Sequence, residues 1–219
     1  MAKREVGHSM SSAREGWPAR GLFLALVALA ALAAACAKPA PLAGTDLGMT
    51  PAPDFTLADQ DGERLQLSAL NGRPVVLTFL FTQCPDVCPL TADKLRKTAD
   101  LLGAAADQVA FVAVSTDPPR DDAAAAKTFV EQHRLTGRLR FLLGTQAELQ
   151  PVWSAYYMYV VPSAGDDPAD RAAASYAARG ATHTDALFVI DRQGRERTLL
   201  HSDFEPEALA STLKRLLAE

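Results

Sequence analysis

Val75-Val76-Leu77-Thr78-Phe79-Leu80-Phe81-Thr82-Gln83-Cys84-Pro85-Asp86-Val87-Cys88-Pro89 is the stretch on which the fold turns. Its first seven residues, 75–81, form an almost unbroken apolar run of β-formers, the pattern of a central strand buried on both faces. The run ends in two cysteines, each followed by a proline. Proline disfavours helical geometry in the residue before it, which places both Cys84 and Cys88 outside regular helix. Pro89 suits the first helical position, where its missing N–H costs nothing. Residues 90–102 then read as a helix, with Gly103 as its stop. The pair is therefore expected in a tight loop at the carboxyl end of a strand, where open α/β sheets form their sites.

Outward from this stretch the chain alternates strands and helices. Residues 109–114 read as a second buried strand, 123–132 as a helix, 140–143 as a short strand and 147–156 as another helix. Residues 187–190 read as a strand, the turn at Asp191-Arg192-Gln193-Gly194 leads to a hairpin partner at 196–201, and 206–217 close the chain as an amphipathic helix. The pattern predicts a single α/β domain over residues 54–219, with a central mixed sheet flanked by helices. Residues 163–181, rich in Ala, Asp, Gly and Arg, read as a mobile excursion from it.

The composition agrees with one globular domain: 219 residues, 48% apolar and 22% charged, with a formal net charge of −4. It argues against disorder, collagen and a polytopic membrane protein, and an acidic balance gives no support to nucleic-acid binding. Part of the apolar excess is local. Lys3, Arg4, Arg14 and Arg20 precede an apolar run over 21–35, the layout of a signal peptide at 1–35. The run is shorter than the ~20 residues of a spanning helix. Leu32-Ala33-Ala34-Ala35-Cys36 resembles a bacterial lipoprotein signal, which implies that Cys36 is lipidated; a plainly cleaved signal and an uncleaved anchor are the alternatives, and all three export the domain. Residues 36–53, with Pro39, Pro41, Pro51 and Pro53, read as a flexible tether.

With Cys36 set aside, Cys84 and Cys88 remain as one pair in an oxidising compartment. The following helix end favours negative charge and is expected to lower both thiol pKa values. The loop brings the sulfurs close enough for a disulfide or a shared soft metal ion, Cu(I) or Zn. A plain structural disulfide is the simplest alternative, although a loop this short constrains the unfolded chain little. Asp86 reads as a loop-capping acceptor. Two sulfurs leave a metal site incomplete, and the histidines offer few partners. His8 lies in the leader, His133 on a polar helical stretch, and His201 at a strand end. His183 joins the 163–181 segment to the strand at 187–190, and can approach the cysteines if that strand neighbours 75–81.

Thr82-Gln83-Cys84-Pro85-Asp86-Val87-Cys88-Pro89 matches the Thr-x-Cys-Pro-Asp-x-Cys-Pro pattern of the SCO/SenC family. Ser115-Thr116-Asp117-Pro118-Pro119-Arg120-Asp121 resembles that family's turn after the second central strand, and His183 stands where its histidine precedes the final strand. The resemblance implies a thioredoxin-like fold. It implies one copper, Cu(I) or Cu(II), per domain on Cys84, Cys88 and His183, with the cysteines forming a disulfide when oxidised. It also implies a copper chaperone or thiol reductant that assembles the binuclear copper centre of cytochrome c oxidase subunit II. Other periplasmic copper chaperones or thiol reductants are implied as partners, and the exported face of the bacterial inner membrane as the location. On this reading the protein is a metallochaperone rather than an enzyme, with thiol–disulfide reductase activity as an added possibility.

Three features bear on competing functions. A metal-independent periplasmic thiol–disulfide oxidoreductase usually carries Cys-x-x-Cys and a proline before the strand facing it. Here the spacing is one residue longer, and no proline lies between Pro168 and Pro206. A peroxiredoxin needs Pro and Thr where Leu77 and Phe81 stand. Asp117, Arg120 and Asp121 read as a helix-capping turn with a local ion pair, and Trp153, Tyr156, Tyr157 and Tyr159 as core packing.

Overall fold

Val75–Leu80 (β4) is buried at every position, because it is hydrogen-bonded on both sides in the middle of an eight-stranded sheet. The computed structural model describes residues 41–160 and 184–219. The other strands are Thr45–Pro51 (β1), Thr56–Asp59 (β2), Arg64–Gln66 (β3), Ala110–Ser115 (β5), Leu139–Leu143 (β6), Leu187–Ile190 (β7) and Arg195–Leu200 (β8). The α-helices are Val87–Leu102 (α1), Ala123–Gln132 (α2), Gln146–Ala155 (α3) and Pro206–Ala218 (α4). The strand order is β1-β8-β7-β4-β5-β6-β2-β3. β4, β5 and β6 run parallel, and β7 lies antiparallel against β4 with Leu77 opposite Phe188.

Alternate residues of each central strand feed opposite layers. Val76, Phe111, Ala113, Phe141 and Val189 face the helices α1, α2 and α4, whose Leu95, Phe129 and Leu213 complete that core. Leu77, Phe79, Val112, Phe188 and Ile190 face the other layer, where Leu149, Val152 and Trp153 of α3 pack beside Leu57 and Leu65. The expected mixed sheet with helices on both faces is therefore present, and so is the neighbouring of 187–190 with 75–81.

Three strands were not expected. Residues 45–51, assigned to the tether at 36–53, form β1 and pair with β8. Almost every side chain of β1 is exposed, so it carries no apolar alternation and is held by its backbone ladder. Just before it, Gly44 lies at φ +90 with its Cβ position only 2.3 Å from the Leu199 carbonyl oxygen, a close approach that only glycine tolerates. The short hairpin of β2 and β3 docks onto β6, with Ala58 opposite Leu143. The leader at 1–35, Cys36, the 163–181 segment and His183 lie outside the described residues.

The turn between β7 and β8 holds a polar cluster on which acid stability depends. Asp191, 2% exposed, accepts hydrogen bonds from the Gln193 and Arg195 backbone N–H groups at 3.0 Å and from Arg195 Nε at 2.9 Å. Arg197 bridges it to Glu219 of the last turn, at 3.3 and 2.5 Å. Burial opposes ionisation of Asp191, but the Arg195 contacts outweigh it and hold the carboxyl below the usual range. The Arg197 hydrogen bond does the same for Glu219. A carboxyl depressed in the folded state stabilises fully above its unfolded pKa, about 4, and that contribution fades as pH falls through the folded value. Urea unfolding between pH 7 and pH 3 is expected to show stability falling below about pH 4. Asp191→Asn is expected to cost about 1–3 kcal/mol at pH 7 and to flatten that acid slope.

Candidate dithiol metal site

The site grows from the end of β4. The Leu80 carbonyl still accepts the Thr116 N–H at 2.9 Å, so the β4–β5 pairing runs to the last residue of both strands. Beyond it the chain must turn. Phe81 stays buried and its carbonyl accepts the Cys84 N–H at 3.4 Å. Cys84 is half-buried and packs against the core on the α1 side, while Cys88 is fully buried. Both carry thiols rather than a shared disulfide.

Cys88 is not outside the helix. α1 begins at Val87, so Cys88 sits in its first turn and Pro89 one residue further in. Proline is tolerated there because the first four N–H groups of a helix have no intrahelical acceptor. Asp86 occupies the N-cap but makes no side-chain cap bond. The sulfur of Cys84 takes that part: the Cys88 N–H donates to Cys84 Sγ at 3.3 Å. The cysteine loop is thus closed by a sulfur-capped helix end.

The electrostatics of the two thiols differ from the sequence expectation. The Cys88 thiol is pushed up, first by its hydrogen bond with Cys84, then by burial and by the neighbouring Cys84 charge. A helix N-terminus therefore does not lower both thiols.

Beneath the loop lies a group that the sequence reading treated as local. Asp121, 6% exposed, accepts the Thr82 N–H at 2.8 Å, the Thr82 Oγ1–H at 2.7 Å and the Ser115 Oγ–H at 2.5 Å. Burial still pushes its carboxyl up against these donors. The expected ion pair is present between Arg120 and Asp117 at 2.6 Å, but the helix cap is Asp122, which accepts the Ala125 N–H at 2.7 Å. The recurrence of Asp four residues apart in Asp117 and Asp121 was the available signal; no local pattern points from Asp121 to Thr82, 39 residues away.

The histidines divide as follows. His133 pairs with Asp93 at 3.0 Å and packs its ring, tilted, against Phe129. His201 Nδ1 is 2.7 Å from the Asp185 carbonyl oxygen, which can only accept, so that nitrogen carries the proton. The Asp185 carboxylate in turn accepts the Ser202 N–H, shared between its two oxygens, and the Ser202 hydroxyl, tying the start of β7 to the end of β8. Among the described residues no three His, Cys, Asp or Glu side chains form a metal cluster. The described contribution is the thiol pair, a soft donor set that suits Cu(I). The aromatic group also splits. Trp153 and Tyr156 are core, whereas Tyr157 and Tyr159 are 91% and 67% exposed, contrary to the packing role expected of all four.

The fold and this strand-end dithiol can be set against known proteins. The SCO1/SenC family model matches residues 45–218. The chain belongs to the SCO1/SenC family. An SCO2-like protein of Rickettsia conorii is 24% identical over 161 residues, 74% of each chain. The copper-bound structure of Bradyrhizobium japonicum ScoI is 30% identical, with a TM-score of 0.63, and covers 77% of this chain and 100% of its own. BsSco, described as having a disulfide switch and as a Sco-family cytochrome c oxidase assembly protein, matches in fold at 20% identity and a TM-score of 0.62, over 78% of this chain and 95% of its own. The thioredoxin-like, single-domain α/β fold is thus that of the SCO1/SenC proteins.

The asymmetry of the pair has a direct readout. In the reduced SCO1/SenC protein, brief iodoacetamide treatment followed by peptide mass spectrometry is expected to find Cys84 alkylated well before Cys88. Equal labelling would contradict the burial and hydrogen bonding just described.

Proposed function

We propose that this SCO1/SenC protein is an exported, membrane-tethered copper chaperone and thiol reductant serving the binuclear copper centre of cytochrome c oxidase subunit II. The observation that carries the reading is the Cys84–Cys88 pair at the carboxyl end of β4, with the Cys88 N–H on Cys84 Sγ. Support comes from the copper held by the ScoI protein at 30% identity and from the oxidase-assembly role given for BsSco. In this reading Cys36 carries the lipid that tethers the domain, and the chain cooperates with other periplasmic copper carriers or thiol reductants.

Copper is the cargo. Cys84 and Cys88 hold it through thiolate sulfur, with His183 as the third ligand; added imidazole lets a soft sulfur site also accept Cu(II). Both thiols must lose their protons to bind, so loading releases protons and weakens in acid. Without metal the same pair can reduce a disulfide. The Cys84 thiolate attacks one sulfur of the partner's disulfide, giving a mixed disulfide and one partner thiolate. Cys88, once deprotonated, attacks Cys84 Sγ and releases the second partner thiolate. The partner gains two electrons, its thiolates take up two protons, and the chain is left with a Cys84–Cys88 disulfide. A half-exposed attacking sulfur above a buried one suits this order of events.

The test is an anaerobic copper titration of the reduced protein beside Cys84→Ala and His183→Ala. The wild type is expected to bind one copper per chain, Cys84→Ala to lose tight binding, and His183→Ala to bind with at least tenfold lower affinity. Identical stoichiometry and affinity in all three would overturn the assigned ligands. Cells lacking the protein are expected to lose oxidase activity at limiting copper; unchanged activity at every copper level would point to a general thiol role.

A further inference from the structure

We propose that Asp121 is a positioning residue for the dithiol: through Thr82 it fixes the loop that sets the Cys84 sulfur on the end of α1. The proposal deepens the function proposed above and rests on it for the copper readout alone.

Three donors converge on this one carboxylate. The Thr82 backbone N–H and hydroxyl reach Oδ1 at 2.8 and 2.7 Å, and the Ser115 hydroxyl reaches Oδ2 at 2.5 Å. Ser115 is the last residue of β5 and Thr82 lies two residues before Cys84, so the carboxylate staples the cysteine loop to the exit of the neighbouring strand. The staple is itself anchored. The Asp121 N–H donates to the Asp117 carbonyl at 2.9 Å, Arg120 Nε holds the Asp117 side chain at 2.6 Å, and Trp153 Nε1 holds the Ser115 carbonyl at 2.9 Å.

The consequence runs along the backbone. Thr82 can pivot only against a fixed carboxylate, Cys84 is tied back to Phe81 by its own N–H, and Cys84 Sγ then meets the Cys88 N–H at 3.3 Å. Release of Thr82 frees the first of these links, and the sulfur loses its fixed donor. A merely structural carboxylate in the core would change stability without changing the sulfur chemistry. A staple acting through Thr82 changes both.

The near-isosteric pair Thr82→Val and Thr82→Ser isolates the effect, because only serine keeps the hydroxyl donor; Asp121→Asn replaces an acceptor oxygen with a donor group. In the full chain, three quantities are read: Cu(I) affinity against a chromophoric chelator, the Cys84–Cys88 reduction potential in glutathione buffers, and the Cys84 alkylation rate at neutral pH. Thr82→Val and Asp121→Asn are expected to lower Cu(I) affinity about tenfold, to move the potential to more negative values and to slow alkylation. Thr82→Ser is expected to restore all three. Should Asp121→Asn fail to fold, the threonine pair alone decides. Variants that lose stability yet keep affinity, potential and alkylation rate would overturn the proposal. If the wild type binds no copper, the proposed function fails, while potential and alkylation still decide the role of Asp121.

Discussion

The end of β4 is the constraint from which the site follows. Every residue of that strand is buried and paired with β5, and Val75 to Thr78 pair on the other side with β7. A strand so enclosed cannot bend while its ladder lasts, and the ladder lasts until Leu80 gives its carbonyl to Thr116. The turn into α1 is therefore compressed into Phe81 to Asp86, directly above the exit of β5. Both cysteines, Thr82, Ser115 and Asp121 meet there because two parallel strands stop at the same level. The chemistry of the loop is a boundary condition of the sheet.

Within that short turn the helix end has to find acceptors for its first N–H groups. Asp86 has the side chain suited to the task and does not perform it. A sulfur does, and this makes the two cysteines unequal. Cys84 receives a backbone donor and remains half-exposed, whereas Cys88 is sealed under the loop, where its contact with Cys84 and burial push its thiol up. The spacing of three intervening residues is what permits this. It puts the second cysteine inside the first helical turn, so that its N–H points back at the first cysteine's sulfur.

What the sequence revealed follows the reach of each interaction. β4, β5 and α4 were legible because burial imposes a continuous or periodic apolar pattern on neighbouring residues. β1 was hidden, since a strand exposed along its length and held by backbone bonds to β8 leaves no mark on residues 45–51 beyond Gly44. The cysteine pair was legible as a motif, while the start of α1 was misplaced because proline rules exclude helix more strongly than a capped first turn requires. Asp121 was hidden for the opposite reason to β1: its contacts are strong, but they cross from one strand exit to another. Trp153 and Tyr156 are packed by α3, and Tyr157, at φ 55, already belongs to the chain reversing after it. Spacing along the sequence could not tell these two pairs apart.

A buried sulfur with a raised pKa is unfavourable to leave as a thiolate, and the molecule has three ways to avoid that state. Cys88 can keep its proton, share a bond with Cys84, or, in the function proposed, bind a soft cation whose charge replaces the proton's. These choices exclude one another, because each uses the same lone pair in the same enclosed space. The burial that makes the proton hard to remove also makes a positive charge welcome once it has gone. In the function proposed, delivery and reduction are then alternative ways of neutralising one sulfur that the sheet and the helix have enclosed.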